Sequence, residues 1–174
     1  MFLDESGFCL QPLNRRTWAP IGTRPQQIAS QRHDRLSVIG SLAVSPHRRR
    51  VKLSFRIHDH NVRTADMVRY LYALHREHRG QLVVVLDRLN VHRAAVKQLQ
   101  ARGAKWLSVE WLPPYAPDLN PVEALWSHAK YTALANFVPD DAEHLNDAVI
   151  EAVGDTHFKQ PLLRSFFHAA QLKL

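Results

Sequence analysis

The sequence predicts a mixed α/β sheet, in which an antiparallel meander leads into parallel strands and helices flank the sheet. The first third contains short apolar runs separated by turn residues, which is typical of antiparallel strands. The apolar run 81–86 then follows a segment with helical periodicity, which is typical of a strand reached through a crossover helix. With 174 residues and 45% apolar content, the chain can form one domain with a substantial core.

The strands of the first third are predicted from alternation and punctuation. Met1–Phe8 is a short strand with apolar edges, and Arg15–Pro20 is expected to pair with it as a hairpin. Leu36–Val44 and Val51–Ile57 are the next two strands, and the basic turn Ser45–Arg50 joins them. We therefore expect an antiparallel meander.

The rest of the chain alternates helices with strands. The expected helices are Asn61–His78 with Asn61 as its cap, Val91–Ala101, Pro121–Leu134, and two C-terminal helices that start near Asp140 and Gln160. The expected strands are 81–86, buried on both faces, and Lys105–Glu110. This order of elements is compatible with a ribonuclease-H-like fold.

Charge and cysteine content bear on partners and compartment. The net charge of +7 suits a polyanion such as nucleic acid, although many small basic proteins bind nothing acidic. Cys9 is the single cysteine, so it has no partner for an internal disulfide. The sequence shows no secretory signal and no apolar stretch long enough to span a bilayer. These features predict a cytoplasmic protein without a membrane role.

Two aspartates stand where apolar strands are predicted. Asp87 follows the apolar run, at the carboxyl end where open α/β sheets bind their ligands, although a turn or a helix cap explains one isolated Asp more simply. Asp4 lies inside the first strand, where a charge is costly unless it is paired or bound to a cation. Glu5 points to the opposite face, so only one of these neighbours is expected to share a site with Asp87.

A proline-rich loop precedes the third acid, Glu123. Four prolines lie within the nine residues Pro113–Pro121, and each restricts the backbone. Asn120 is a good helix cap, and proline suits the first helical position that follows it. Taken alone, Glu123 three residues after Asn120 is typical of a capping box.

Together, the three acids predict chemistry on DNA phosphodiesters. Cleavage or transfer of such a bond commonly uses two divalent cations about 3.5–4 Å apart. Carboxylates are ligands that Mg²⁺ prefers, and bound cations relieve the repulsion between clustered carboxylates. Asp4, Asp87 and Glu123 are therefore the candidate catalytic residues and metal ligands for two Mg²⁺ ions, for which Mn²⁺ is expected to substitute.

Three blocks resemble the catalytic domain of the bacterial insertion-sequence transposases related to the mariner superfamily. They are Phe2–Phe8 with Arg16–Pro20, Val84–Arg93, and Pro113–Trp126. The last block is the most specific, and the 35 residues 88–122 separate its glutamate from the second aspartate. The resemblance implies a DDE-type enzyme with a ribonuclease-H-like fold.

The resemblance also implies a reaction and its partners. Water cuts DNA at the transposon ends, and the freed 3′-hydroxyl then attacks target DNA, commonly at TA dinucleotides in related elements. The implied partners are the terminal repeats, the target DNA and a second copy of the chain in a homodimer. A bacterial cytoplasm, in association with the nucleoid, is the implied location.

The chain departs from the family pattern in two places. Relatives normally carry an N-terminal helix-turn-helix region, whereas here the first catalytic strand begins at Met1. We therefore expect residues 1–174 to be a single catalytic domain, either a split-frame product with a helix-turn-helix polypeptide as partner or a truncated remnant. Arg88 stands where many relatives have Asn after the second catalytic Asp.

Two other functions remain open. An inactive remnant would act only in DNA binding or as an inhibitory partner of an intact transposase. A nuclease or junction resolvase would use the same chemistry without strand transfer.

Basic residues near these blocks are candidate DNA contacts. His92 and Arg93 lie at the start of the helix after Asp87, where their position and charge suit phosphate binding. Arg48, Arg49 and Arg50 form a short basic turn that suits phosphate contacts or simple solvation.

Histidine spacing also suggests metal ligands. The stretch 58–60 reads His-Asp-His, and His75 and His78 have helical i,i+3 spacing. A strand-to-helix loop and a solvated helix end explain the two groups more simply. Trp126, one turn after Glu123, is expected to be a core residue.

Overall fold

The computed structural model describes residues 1–27 and 34–174, which form a five-stranded sheet with helices packed on both faces. The strands are β1 (Phe2–Cys9), β2 (Arg35–Val44), β3 (Val51–His58), β4 (Leu82–Leu86) and β5 (Leu107–Trp111). The helices are α1 (Thr64–His78), α2 (Asn90–Ala101), α3 (Pro121–His128), α4 (Ala142–Gly154) and α5 (Gln160–Ala169). A 3₁₀ turn at Pro117–Leu119 precedes α3, and a π-helical turn at Ala129–Ala133 follows it.

The sheet is mixed, as predicted. Its strand order is β3-β2-β1-β4-β5. The pairs β1–β2 and β2–β3 are antiparallel, whereas β4 runs parallel to both β1 and β5. The central strand β1 therefore joins the meander to the parallel half of the sheet.

The prediction that Arg15–Pro20 pairs with the first strand as a hairpin is wrong, because this segment is irregular and exposed. Trp18 is 100% exposed, and Pro20 has no N–H to donate to a ladder. The buried strand β2 takes the place beside β1, with Leu42 opposite Phe2 and Arg35 opposite Cys9. Strand β2 pairs with β1 because burying its apolar side chains stabilises the fold more than pairing with a nearer but exposed segment would.

Several predicted boundaries shift for local reasons. Helix α1 begins at Thr64, three residues after the predicted cap, because the Asp66 carboxylate accepts a hydrogen bond from the Arg63 N–H at 2.9 Å. The predicted helix from Pro121 to Leu134 ends at His128 and continues as the π-helical turn. The last strand lies at Leu107–Trp111 instead of Lys105–Glu110.

Strand β4 is buried mainly on one face, whereas the sequence predicted burial on both. Its alternate residues Leu82, Val84 and Leu86 pack in the core, but Val83 is 54% exposed. The apolar composition of this segment therefore predicted more burial than the strand has.

Two apolar cores lie on the two faces of the sheet. One packs β1, β2 and β4 against α1 and α2, and it includes Leu3, Ile39, Met67, Leu71, Val84, Leu86, Val96 and Leu99. The other packs β1, β2 and β3 against α3, α4 and α5, and it includes Phe8, Val38, Leu42, Leu53, Leu125, Trp126, Val149 and Phe167. Within the described residues, no helix has the length and apolar content needed to cross a bilayer.

Trp126 of α3 packs across β2 at Gly40. The indole is 2% exposed, which confirms the prediction that Trp126 is a core residue. A Cβ built on Gly40 would lie 2.6 Å from Trp126 Cη2, closer than real contacts allow. The absence of a side chain at Gly40 therefore lets α3 approach the sheet at this point.

We predict that Gly40→Ala destabilises the fold by about 1–3 kcal/mol, because the added methyl overpacks a buried indole. Chemical denaturation measures this change in the free energy of unfolding. Gly154→Ala in α4 is the matched control, since nothing lies within 4 Å of a Cβ built there. Equal stability of Gly40→Ala and the unaltered chain would contradict the packing described for α3.

Candidate active site

Strand β1 directs Asp4 and Glu5 to opposite faces of the sheet. Asp4 faces α3, is 7% exposed, and accepts a hydrogen bond from Trp126 Nε1 at 3.1 Å. Glu5 faces α2, where its Oε2 lies 2.5 Å from His92 Nε2. Alternation along the strand was thus predicted correctly for both acids.

Asp87 follows β4 and is held by two hydrogen bonds to one oxygen. Its Oδ1 accepts from the Leu89 N–H at 3.0 Å and lies 2.5 Å from His92 Nδ1. The first bond is the turn that an isolated Asp commonly forms. Among residues 1–27 and 34–174, Asp87 Oδ2 has no hydrogen-bond partner, so it remains available to a ligand.

His92 links Glu5 to Asp87 through its two ring nitrogens, and its side chain is 0% exposed. Burial alone would lower the pKa of His92, but the hydrogen bonds to Asp87 and Glu5 outweigh burial and raise this pKa to about 10. The ring is therefore an imidazolium that donates an N–H to each carboxylate.

This arrangement corrects two expectations from the sequence. His92 was predicted to contact phosphate, but its ring is buried and both of its nitrogens are engaged. Only one acid of β1 was expected to join Asp87, yet Glu5 reaches it through His92 while Asp4 interacts with it electrostatically. The cause is that α2 begins just beyond β4 and turns its buried histidine back toward β1.

Glu123 lies in the first turn of α3, and its side chain is not used for capping. Asn120 Oδ1 accepts from the Val122 N–H at 3.2 Å, and the Asn120 N–H donates to the Pro117 carbonyl at 2.8 Å. In a capping box the Glu123 carboxylate would accept from the Asn120 N–H, but here the Pro117 carbonyl of the 3₁₀ turn accepts from it. Glu123 is exposed, and within the described part of the chain its carboxylate has no hydrogen-bond partner.

The three predicted acids influence one another electrostatically. Burial, together with the negative charges of Glu123, Glu5 and Asp87, raises the pKa of Asp4 to about 7. Partial desolvation of the exposed Glu123 side chain also raises its pKa; the charge of Asp87 adds to this shift, and the charge of Lys130 opposes it. Burial alone would raise the pKa of Asp87 as well, but the hydrogen bonds from His92 and Leu89 outweigh burial and lower this pKa. The uncompensated negative charge is therefore concentrated at Asp4 and Glu123.

Lys130 is a basic residue of this site that the sequence reasoning missed. Its Nζ donates to Ser6 Oγ at 2.7 Å and lies 5.2 Å from the centre of the Phe8 ring. Burial lowers the pKa of Lys130, whereas the charges of Glu123 and Asp4 oppose this shift. Its position seven residues after Glu123, two helical turns along the same face, was the signal that could have identified it.

The predicted arginine contacts lie in two different places. Arg93 is exposed and lines a surface groove with Arg88 and Lys97, just beyond Asp87. The turn with Arg48, Arg49 and Arg50 connects β2 to β3 at the end of the sheet where β1 begins. Arg93 therefore lies on the helix that follows Asp87, whereas the three arginines of the turn lie at a different end of the sheet.

The sequence of the chain matches the family model of the DDE superfamily endonucleases over residues 1–146. The chain belongs to this superfamily. No sequence among the curated proteins gives a significant match.

Solved structures of the Mos1 transposase have a similar fold. A paired-end complex with the left transposon end shares 18% sequence identity at a TM-score of 0.62, and the match covers 98% of this chain and 52% of that chain. A Mos1 mariner paired-end complex with Mn gives 17% identity and a TM-score of 0.63, with 98% and 51% coverage. The Mos1 strand transfer complex shares 17% sequence identity at a TM-score of 0.58, and the match covers 98% of this chain and 50% of that chain.

The family model confirms the predicted DDE-type family, and the solved structures confirm the ribonuclease-H-like fold. This chain spans about half the length of the Mos1 chains it matches. The bacterial origin and the roles of individual site residues stay predictions.

We predict that His92→Ala destabilises the protein by roughly 3 kcal/mol, because it removes the one cation that two partly buried carboxylates share. Urea denaturation at pH 7 measures the effect. His168→Ala serves as the control, since this exposed histidine is expected to change stability by no more than about 0.5 kcal/mol. A small effect of His92→Ala, equal to that of the control, would show that the bridge does not hold the site together.

Proposed function

We propose that this chain is the catalytic domain of a DNA transposase, in which Asp4, Asp87 and Glu123 hold the divalent cations that cleavage and strand transfer require. The observation that carries the proposal is the electrostatic interaction among three carboxylates supplied by three separate elements, in a chain of the DDE endonuclease superfamily. Membership in that superfamily supports DNA as the substrate.

The donor set fits magnesium or manganese. All three side chains offer hard oxygen ligands, and the pKa of Asp4 is raised to about 7 by burial and by neighbouring negative charges. A divalent cation relieves this electrostatic penalty. When bound, two such ions supply Lewis-acid stabilisation of the attacking and leaving oxygens.

Two ions are proposed because the reaction is a transfer of phosphodiester bonds. Such reactions commonly use two divalent cations about 3.5–4 Å apart, which stabilise the attacking and the leaving oxygen. Complexes of Mos1 with Mn and with Mg are among the similar structures, which supports both metals as candidates here.

Each proposed ligand is positioned by a different neighbour. Trp126 Nε1 holds Asp4, and the imidazolium of His92 holds one oxygen of Asp87. Asn120 caps the helix that carries Glu123, which sets the direction of that side chain. Such fixed placement lowers the cost of organising the ligands around the reacting phosphate.

The proposed reaction has two steps. In the first, a water oxygen bonds to phosphorus at the transposon end and the bond from phosphorus to the 3′ oxygen breaks, which leaves a 3′-hydroxyl and a 5′-phosphate. In the second, that 3′-hydroxyl attacks a phosphodiester of target DNA and displaces its 3′ oxygen. Mos1 is known in paired-end and strand transfer complexes, which supports the assignment of both steps.

The proposed partners follow from charge and from coverage. The net charge of +7 and the exposed groove with Arg88, Arg93 and Lys97 suit a DNA backbone beside Asp87. We propose that the chain acts as a homodimer on two transposon ends, in a bacterial cytoplasm. A helix-turn-helix polypeptide is proposed to recognise the terminal repeats.

The test is nicking and strand transfer on DNA that carries the element's terminal repeats, with Mg²⁺ or Mn²⁺ and with the helix-turn-helix region added in trans. Asp87→Asn should lower both activities by more than about 100-fold, since loss of a ligand costs more than loss of an outer-shell partner. Asp147→Asn, an exposed acid of α4, should leave both unchanged.

Each outcome selects one function. Metal-dependent nicking with strand transfer that is lost in Asp87→Asn supports the transposase. Nicking without strand transfer supports the nuclease alternative, and DNA binding without any cleavage supports the inactive remnant. Equal cleavage by Asp87→Asn and Asp147→Asn contradicts the proposed site.

A further inference from the structure

Two histidines and an aspartate converge where β3 leads into α1. His58 is the last residue of β3, His60 lies in the following loop, and Asp66 lies in the first turn of α1. One potential ligand atom from each residue lies within 4.8 Å of the other two. His60 Nε2 is already 3.1 Å from Asp66 Oδ2, close to the separation of about 3.3 Å between two ligands of one tetrahedral zinc ion.

One nitrogen of the His58 ring is unsatisfied among the described residues. Its Nε2 is buried and has no hydrogen-bond partner among the described residues. Such an orphaned polar atom is rare and requires an explanation.

The other two ligands are oriented by neighbouring groups. Asp59 Oδ1 lies 2.8 Å from His60 Nδ1, so a carboxylate holds the ring nitrogen that faces away from Asp66. Arg69 Nη2 donates to Asp66 Oδ1, whereas Asp66 Oδ2 faces His60 and also accepts from the Arg63 N–H at 2.9 Å. A carboxylate behind a ligating histidine is the outer-shell arrangement usual for metal sites in proteins.

We propose that His58, His60 and Asp66 bind a zinc-class divalent cation, at a site separate from the three acids of the active site. Two imidazole nitrogens and one carboxylate oxygen favour Zn²⁺ and similar transition metals over Mg²⁺. The partly exposed His60 and the exposed Asp59 leave a path from solvent to the site. A water completes the fourth position of the ion.

The site would connect the edge of the sheet to a core helix. In the sheet, β2 separates β3 from β1, which carries Asp4. The cation would replace the His60–Asp66 hydrogen bond with bonds that also engage His58, so that the end of β3 and the start of α1 become one unit. Its role is therefore structural, and the inference does not depend on the transposase reaction.

Zinc binding by the full chain tests this inference. Isothermal titration with Zn²⁺ in excess Mg²⁺, which occupies the carboxylate site, should show one ion per chain and an increase in thermal stability. His58→Ala and His60→Ala should each weaken zinc binding by more than about 100-fold, and Asp59→Asn by about 10–100-fold. Co²⁺ in place of Zn²⁺ should give the visible absorption of a tetrahedral site.

His47→Ala is the matched control, because this histidine is exposed in the β2–β3 turn and should not affect zinc. Wild-type zinc affinity in His60→Ala, or no zinc binding by the unaltered chain, would overturn the assignment. Zinc binding that survives in His60→Ala but is lost in Asp87→Asn would place the ion at the catalytic acids instead.

Discussion

The buried carboxylate of Asp4, in the middle of the central strand, is the feature around which this structure is organised. A charge at that position needs compensation, and the indole N–H of Trp126 supplies only a neutral hydrogen bond. Gly40 leaves the space in which the indole lies, so the packing of α3 on β2 determines the surroundings of Asp4. The same helix begins with Asn120 and carries Glu123, which couples the support of one proposed ligand to the placement of another.

The second aspartate is compensated in a different way. Asp87 shares the imidazolium of His92 with Glu5, so one positive charge serves two carboxylates across the end of the sheet. This bridge holds Asp87 ionised, whereas Asp4 has a pKa of about 7 and needs another source of positive charge. The difference implies that a bound cation contributes most of its stabilisation through Asp4 and Glu123.

Local sequence patterns were enough to select the three acids as candidates and to predict most elements, but not the contacts between distant residues. Asp4 and Asp87 stand out because each interrupts or ends an apolar strand, and the proline-rich loop marks Glu123. The His92–Glu5 contact joins residues 87 positions apart, and the Lys130–Ser6 bond joins residues 124 positions apart. Periodicity does not report such pairs, which is why His92 was expected to contact phosphate and Arg15–Pro20 was expected to pair with β1.

The most direct test of the account is the thermal stability of Asp4→Asn compared with the unaltered chain, with and without Mg²⁺. Because the pKa of Asp4 is raised from 3.8 to about 7, the cost of ionising it grows between about pH 4 and pH 7, and is full above that range. Without metal at pH 8, the variant should be the more stable protein, by on the order of 4 kcal/mol from that shift, and the difference should shrink as the pH falls to 5. Mg²⁺ should then stabilise the unaltered chain but not the variant. Equal stability of the two proteins at pH 8 with no response to Mg²⁺ would contradict the claim that a buried, uncompensated Asp4 is part of a cation site.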